Sequence, residues 1–346
     1  MSQLYDQEVR EQPQVLARLL ELGRAAAEES AAAIRAHAPR FITIAARGSS
    51  DNAARYGQYL FGVHNRLVVA LSAPSLITHY EAAPALESAV VIGISQSGQS
   101  PDIVAVVREG RRQGAVTIAV TNDATSPLAQ AASFVIALHS GPEQAVAATK
   151  TYTSQLMALA MLSVALEGDQ SRWKELATVP GRISETLDLC TAAPVDATPF
   201  RDRRRLLVVG RGYNLATVFE VALKIKETSY VMADPYSSAD FFHGPAALLD
   251  ESVPVLVVAP TTRAFDDLDA AVRLARERRA PLVAISDSPT LLENADVALP
   301  LAAGIPEWLS PLAAVVPGQL WAQALSRARG LTPDAPRGLS KVTLTR

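Results

Sequence analysis

Apolar strand patterns recur along this chain at a nearly fixed interval, and that interval constrains the fold more than any other feature. "FITIAARGS" is matched by "RLLVVGRGY", which sets Arg211 against Arg47. "AVVIGISQ" is matched by "VPVLVVAP", which sets Ala259 against Ser95 at the identical spacing. "VTIAVTND" is matched by "PLVAISDS" with the spacing longer by a single position. Between the strand patterns lie amphipathic stretches such as "PDIVAVVREGRRQG". Continuous apolar strands joined by helical crossovers imply a parallel sheet covered on both faces. The reading is therefore α/β, with two tandem doubly wound units. Residues 1–38 are expected to be helical, 39–190 to form the first unit with a helical connector over 151–190, and 191–346 to form the second. The boundary is placed near "TAAPVDATP", residues 191–199.

A chain of 346 residues accommodates two such units. Its net charge of −3 gives no bulk field that would recruit nucleic acid or an anionic membrane. The single cysteine, Cys190, excludes a disulfide framework and argues against a cysteine-based metal site. No metal or cofactor constellation is visible in the sequence. The opening stretch "MSQLYDQEVREQPQ" is polar and lacks a signal-peptide core. No apolar run is long enough to cross a bilayer. The expected setting is the reducing cytoplasm.

The two copies differ after their third strand pattern. The first continues with Ser95-Gln96-Ser97-Gly98-Gln99-Ser100, the second with "APTTRAF". In open parallel sheets ligands sit beyond the carboxyl ends of the strands. A helix beginning at Pro101 would present free N–H groups and partial positive charge there. Serine hydroxyls add donors, and Gly98 permits close approach. A phosphate monoester suits this chemistry. The plainer reading is a helix cap at Ser100, although a cap needs one serine rather than three. The nucleotide-binding Gly-x-x-x-x-Gly-Lys pattern is absent. "GRGYNLA" lacks the third glycine and acidic partner of a dinucleotide site. "ARGSSDN" supplies Ser49 and Ser50 at another strand end.

Candidate acid–base groups lie in "VFEVALKIKETSYVMADPYSSADFFHGPAAL". Lys224 and Glu227 are three apart and share a helix face, either as a surface pair worth about 0.2–0.5 kcal/mol or, since their flanks are apolar, as a buried pair. A buried Lys and Glu must pair or shift their pKa values. His243 lies between two aromatics and a Gly-Pro turn; such a histidine is structural or catalytic. The terminal "PRGLSKVTLTR" has no helical pattern and by itself reads as a frayed tail.

Taken together, "ARGSS", "SQSGQSPD", "GPEQAVAATK", "ALKIKETSY", "HGP" and "PRGLSK" resemble, in order and over essentially the whole chain, the double sugar-isomerase (SIS) domain family. That family includes the isomerase half of glucosamine-6-phosphate synthase. The resemblance implies tandem SIS domains of flavodoxin-like topology and a hexose 6-phosphate held by Ser50, Ser95, Gln96, Ser97 and Ser100, with Ser49 adjacent. It implies sugar contacts from the backbone around Val146 and Ser340. Glu227 is implied as the base of the aldose–ketose step, His243 as an aid to ring opening reaching the neighbouring subunit of a homodimer, Lys341 as a Schiff-base lysine near C2, and Lys224 as a partner for the charge at Glu227.

No glutaminase half is expected ahead of these motifs, and Gln99-Ser100-Pro101 stands where the synthase has Glu-Thr-Ala. Both departures resemble the glutaminase-free glucosamine-6-phosphate deaminases, which form fructose 6-phosphate and ammonia. The alternatives are a fructosamine 6-phosphate deglycase, another amino-sugar phosphate isomerase, or a non-catalytic sugar-phosphate sensor. Sensors of this kind carry a basic helix-turn-helix region ahead of the domain, and residues 1–38 do not supply one.

Overall fold

The computed structural model describes residues 4–193 and 195–341. The chain begins with helices α1 (Leu4–Arg10) and α2 (Gln12–His37). Strands and helices then alternate: β1 (Phe41–Ala45), α3 (Ser49–His64), β2 (Val68–Leu71), α4 (Ser75–Thr78), β3 (Ala89–Ile94), α5 (Pro101–Arg112), β4 (Val116–Thr121), α6 (Pro127–Ala131) and β5 (Phe134–Ala137). The helical middle is α7 (Lys150–Glu167) and α8 (Gln170–Ala192). Alternation resumes with β6 (Arg205–Gly210), α9 (Leu215–Ser229), β7 (Met232–Ser237), α10 (Ser238–Phe242), β8 (Val255–Val258), α11 (Phe265–Glu277), β9 (Leu282–Ser286), α12 (Pro289–Glu293) and β10 (Val297–Pro300), closing on α13 (Ser310–Ala328).

Both sheets are five-stranded and wholly parallel, in the orders β2-β1-β3-β4-β5 and β10-β9-β8-β6-β7. These are one topology written twice, the doubly wound arrangement expected from the repeat. The repeat extends to the ladder register. Phe41 pairs with Val68, and at the repeat spacing Arg205 pairs with Met232. Thr43 pairs with Val91, and Leu207 with Val255, at that same spacing. Parallel pairing is set by which face of each strand is buried, so register and apolar pattern were duplicated together.

Burial explains the continuous apolar runs. Every residue of β3 and β8 is buried, as their central places in the sheets require. The edge strands β2 and β10 are largely exposed or only partly buried. One core cluster gathers Val91 and Ala119 with Ile103, Val106 and Val107 of α5. The other gathers Val255, Val257 and Ala284 with Leu268, Ala271 and Val272 of α11. Burying each Val, Leu or Ile side chain contributes about 1.5–3 kcal/mol, which makes these helix–sheet faces the main source of stability.

The chain divides into two compact units that do not follow the repeat boundary. Among the described residues, one takes α1 on to Pro13, then Gln144–Thr149 and Val179–Leu339; the other takes Gln14–Glu143, Lys150–Thr178, Ser340 and Lys341. Among the described residues, no helix is long and apolar enough to cross a membrane.

Candidate active site

In the first sheet β1 lies between β2 and β3, so the crossovers leaving β1 and β3 diverge. The crevice at their carboxyl ends is the ligand-binding switch point of this topology. Both serine clusters lie there. Ser49 and Ser50 open α3, and Ser95 to Ser100 join β3 to α5.

The β3 loop is held from within. The N–H of Gly98 donates to the carbonyl and the hydroxyl of Ser95, at 3.2 and 3.1 Å. The carbonyls of Gln96 and Gly98 accept from the N–H groups of Asn122 and Leu128, at 3.1 Å each. The Ser97 hydroxyl accepts from Gln99 N–H at 3.3 Å. Gly98 has φ +63°, and a Cβ there would collide with the Ser126 side chain. Its lack of a side chain therefore serves the approach to Ser126 and not only the approach of a ligand.

Three helices have serine at the N-cap position followed by proline, which allows the capping reading to be tested inside one molecule. Ser126 accepts from Ala129 N–H and Ser288 from Leu291 N–H, as N-caps do. Ser100 occupies the same position ahead of α5, and its side chain makes no capping bond. Helix capping therefore does not account for its hydroxyl. Ser50 is buried and accepts from Gln155 Nε2 at 3.0 Å, which fixes the hydroxyl's acceptor side. Arg47, just after β1, forms an ion pair with the buried Asp102 of α5 at 2.8 Å. A cation thus stands at the crevice although the serine loop contains none.

The second group lies on α9. Lys224 is fully buried between Glu220, also fully buried and 3.3 Å away, and Glu227, 2.5 Å away with 21% of its side chain exposed. These residues are not a surface pair. Burial favours the neutral amine, but the two carboxylates outweigh it and hold Lys224 above the ordinary lysine value. Lys224 is thus a fixed cation beside a partly exposed carboxylate. Glu220 went unnoticed in the sequence, although its spacing of four from Lys224 was a usable signal.

The C-terminal segment is anchored rather than frayed. Arg337 stacks over the Tyr230 ring at 4.5 Å, and its N–H donates to the Tyr230 hydroxyl at 2.7 Å. Lys341 Nζ lies 2.6 Å from the buried carboxylate of Glu143, whose oxygens also accept from the N–H and hydroxyl of Thr151. Glu143 is a second group that sequence reasoning missed; it lies inside the noted motif "GPEQ" with no role attached. Ser340 is exposed. The N–H of Val146 donates to Asp334 O at 3.2 Å, so its carbonyl is the backbone group left to meet a ligand.

The remaining candidates stand apart from these groups. His243 is exposed at the end of α10, beside Phe242, which is 46% exposed. Among the described residues, no hydrogen bond or ion pair joins its ring to Lys224 or Glu227. Cys190 is buried, and burial pushes its thiol up to about 12 against the pull of Arg10. No group of three or more His, Cys, Asp or Glu is placed to hold a metal ion among the described residues.

A model of the SIS domain family matches residues 37–165 and again 199–323. The chain belongs to the SIS domain family. The two SIS matches coincide with the two sheets. The chain is 36% identical over 310 residues to a glutamine–fructose-6-phosphate aminotransferase (isomerizing) of Thermococcus kodakarensis, covering 87% of this chain and 51% of that protein. The chain therefore spans about half the length of the curated relatives it matches. A crystal structure from Silicibacter pomeroyi DSS-3, provisionally described as a phosphosugar isomerase, is 34% identical with a TM-score of 0.83, over 96% of this chain and all of that one. A glucosamine-6-phosphate deaminase from Thermotoga maritima shares the fold, with a TM-score of 0.79 over 99% of this chain and all of that one, at 18% identity.

Proposed function

We propose that this protein is a phosphosugar isomerase that converts glucosamine 6-phosphate and water to fructose 6-phosphate and ammonia without glutamine. The observation that carries the reading is the buried Lys224 between Glu220 and the partly exposed Glu227. Moving a proton between C1 and C2 needs a carboxylate that stays in one place and reaches both carbons. A fixed cation beside Glu227 holds it there and offsets the charge that develops in the enediol-like state. The serine crevice supports a phosphate at the far end of the substrate, where binding energy serves orientation. In this reading Ser50, Ser95, Gln96, Ser97 and Ser100 bind the phosphate, with Ser49 adjacent, and the Val146 carbonyl and Ser340 contact the sugar. Lys341 meets the keto carbon after leaving Glu143, and His243 assists ring opening from the partner subunit of a homodimer.

Support from the relatives is of the same kind. The curated relatives are named glutamine–fructose-6-phosphate aminotransferase (isomerizing), which supports the isomerising part of the reading and not its independence of glutamine. The test is ammonia release from glucosamine 6-phosphate by the purified protein, with neither glutamine nor metal added. Release with equimolar fructose 6-phosphate is expected, and Glu227→Gln is expected to lower it by roughly 10²–10⁴-fold while sugar-phosphate binding persists in calorimetry. Binding without release by the wild type would overturn the deaminase reading in favour of another amino-sugar phosphate. Turnover unaffected by Glu227→Gln would remove Glu227 from the reaction.

A further inference from the structure

One deeply buried acid has no part in the chemistry described so far. Glu8 of α1 is 3% exposed. Its Oε1 accepts from Gln144 N–H, and its two oxygens lie 3.4 and 3.3 Å from Ala145 N. A carboxylate out of water costs several kcal/mol unless donors surround it, and here the donors include two consecutive backbone N–H groups of a loop. Gln144–Thr149 forms neither helix nor strand, so its backbone groups must find partners elsewhere.

Those partners lie within the same compact unit. Val146 N–H donates to Asp334 O at 3.2 Å, and Asp334 Oδ1 accepts from Tyr5 N–H at 2.8 Å. The Thr149 carbonyl accepts from Gln319 Nε2 at 3.5 Å, and Gln319 Oε1 accepts from Gln12 Nε2 at 2.9 Å. The Tyr5 hydroxyl donates to Gln319 O at 3.4 Å. Tyr5, Glu8 and Gln12, three and four residues apart, therefore fix the loop directly or through one intermediate. Glu8 alone among them grips it by two consecutive N–H groups.

We propose that Glu8 is a positioning residue for the phosphosugar reaction. Its carboxylate sets the Gln144 and Ala145 peptides and thereby aims the Val146 carbonyl, the group left to meet the sugar. The substrate in this statement rests on the function proposed above; the grip on the loop does not. A displacement of about 1 Å at a substrate contact lowers rates by about 10²-fold, so an acid remote from the reacting atoms controls turnover by this route.

The test is Glu8→Gln, which keeps size and burial but presents an NH2 group where a carboxylate oxygen stood. Expected is a fall in kcat for ammonia release of about 10–100-fold, with KM for glucosamine 6-phosphate changed less than threefold. Hydrogen–deuterium exchange of the peptide covering residues 142–149 should quicken at least tenfold, with both sheets protected as in the wild type. Glu8→Asp should recover part of both effects. The proposal is overturned if exchange over 142–149 is unchanged, if protection falls throughout the chain in step with kcat, or if kcat holds while the loop loosens. Should the wild type neither bind nor turn over the sugar phosphate, the substrate reading fails, and the exchange of residues 142–149 decides the role of Glu8 by itself.

Discussion

The two copies share backbone topology and ladder register, yet at matching positions they carry different chemistry. At the carboxyl ends of β1 and β3 stand hydroxyls and an uncapped Ser100. At the matching ends of β6 and β8, Thr261 gives both its N–H and its hydroxyl to Asp287, at 2.7 and 2.9 Å. Arg211 there faces Asp267 at 3.9 Å, and Arg263 faces Glu307 at 3.6 Å. The arginine–aspartate pair is thus common to both copies, Arg47 with Asp102 in the first; the difference lies in the hydroxyls, which Asp287 engages in the second copy and no cap engages at Ser100 in the first. The helices after the first strands reverse the pattern. Glu220, Lys224 and Glu227 of α9 occupy, at the repeat spacing, the places that Tyr56, Leu60 and Val63 hold in α3. Duplication conserved the places, and side chains then assigned the serine-rich crevice to one copy and the ionic triad to the other.

Exchanging residues between the copies breaks this division most severely at the triad. Lys224→Leu, the residue of the first copy, removes the cation from two carboxylates and is expected to cost about 3–5 kcal/mol in urea unfolding. Lys224→Met combined with Glu220→Gln should recover much of that loss, and Leu60→Met in the first copy should cost less than about 1.5 kcal/mol. Equal losses at positions 60 and 224 would mean that burial, not charge, separates the helices.

The glycines come next. Gly98 and Gly212 share a left-handed backbone, with φ +63° and +61°. Alanine at either incurs about 1–2 kcal/mol of backbone strain. At 98 the new Cβ also meets Ser126, while at 212 nothing lies within 4 Å. Gly98→Ala should therefore lose about 1–3 kcal/mol more than Gly212→Ala in the same unfolding assay.

A smaller contrast separates the two serines of the first copy. Ser126→Ala removes a working cap and should lose about 1 kcal/mol with sugar-phosphate affinity intact. Ser100→Ala should leave stability within about 0.5 kcal/mol and weaken affinity by about tenfold or more, as for a hydrogen bond to a charged group. The reverse pattern would restore the capping reading of the serine loop.

The mildest contrast concerns pH. At the end of α3, burial, aided by Arg172 and Arg66, lowers His64 from 6.5 to about 4, so the folded state favours neutral imidazole. Its contribution is fully present above about pH 6.5 and is lost as pH falls from there toward 4. His64→Gln should flatten that part of the stability profile. The matching residue in α9 is Thr228, which cannot titrate, so the second copy contributes no such slope at this position.

The fold was legible because parallel sheets write themselves as apolar runs, and two copies at one offset leave little freedom in strand order. The position of the two serine stretches at the ends of β1 and β3 was legible because each is contiguous in sequence and follows an apolar run. The anchors were not. Glu143 holds Lys341 across 198 residues, and no local pattern announces a contact of that span. Capping stayed open as the plainer reading of Ser100, and Ser126 and Ser288, each also followed by proline, do cap their helices. Lys224 and Glu227 were visible as a pair, but their depth came from packing against elements distant in the chain. Residues 337–341 show no helical period because they are held by Tyr230 and Glu143 rather than by their own backbone.

The compact units exchange their chain ends, and this bears on how the protein can be divided. The unit built on the second sheet includes α1, and the unit built on the first sheet includes Ser340 and Lys341. A gene cut at the repeat boundary would yield two fragments with the right strands and the wrong termini. The front fragment would keep Glu143 without Lys341, and Val146 without Asp334. The rear fragment would keep Asp334 without Tyr5. Each half would be complete as a repeat and incomplete as a folding unit, so the protein resists division at the seam its own duplication left.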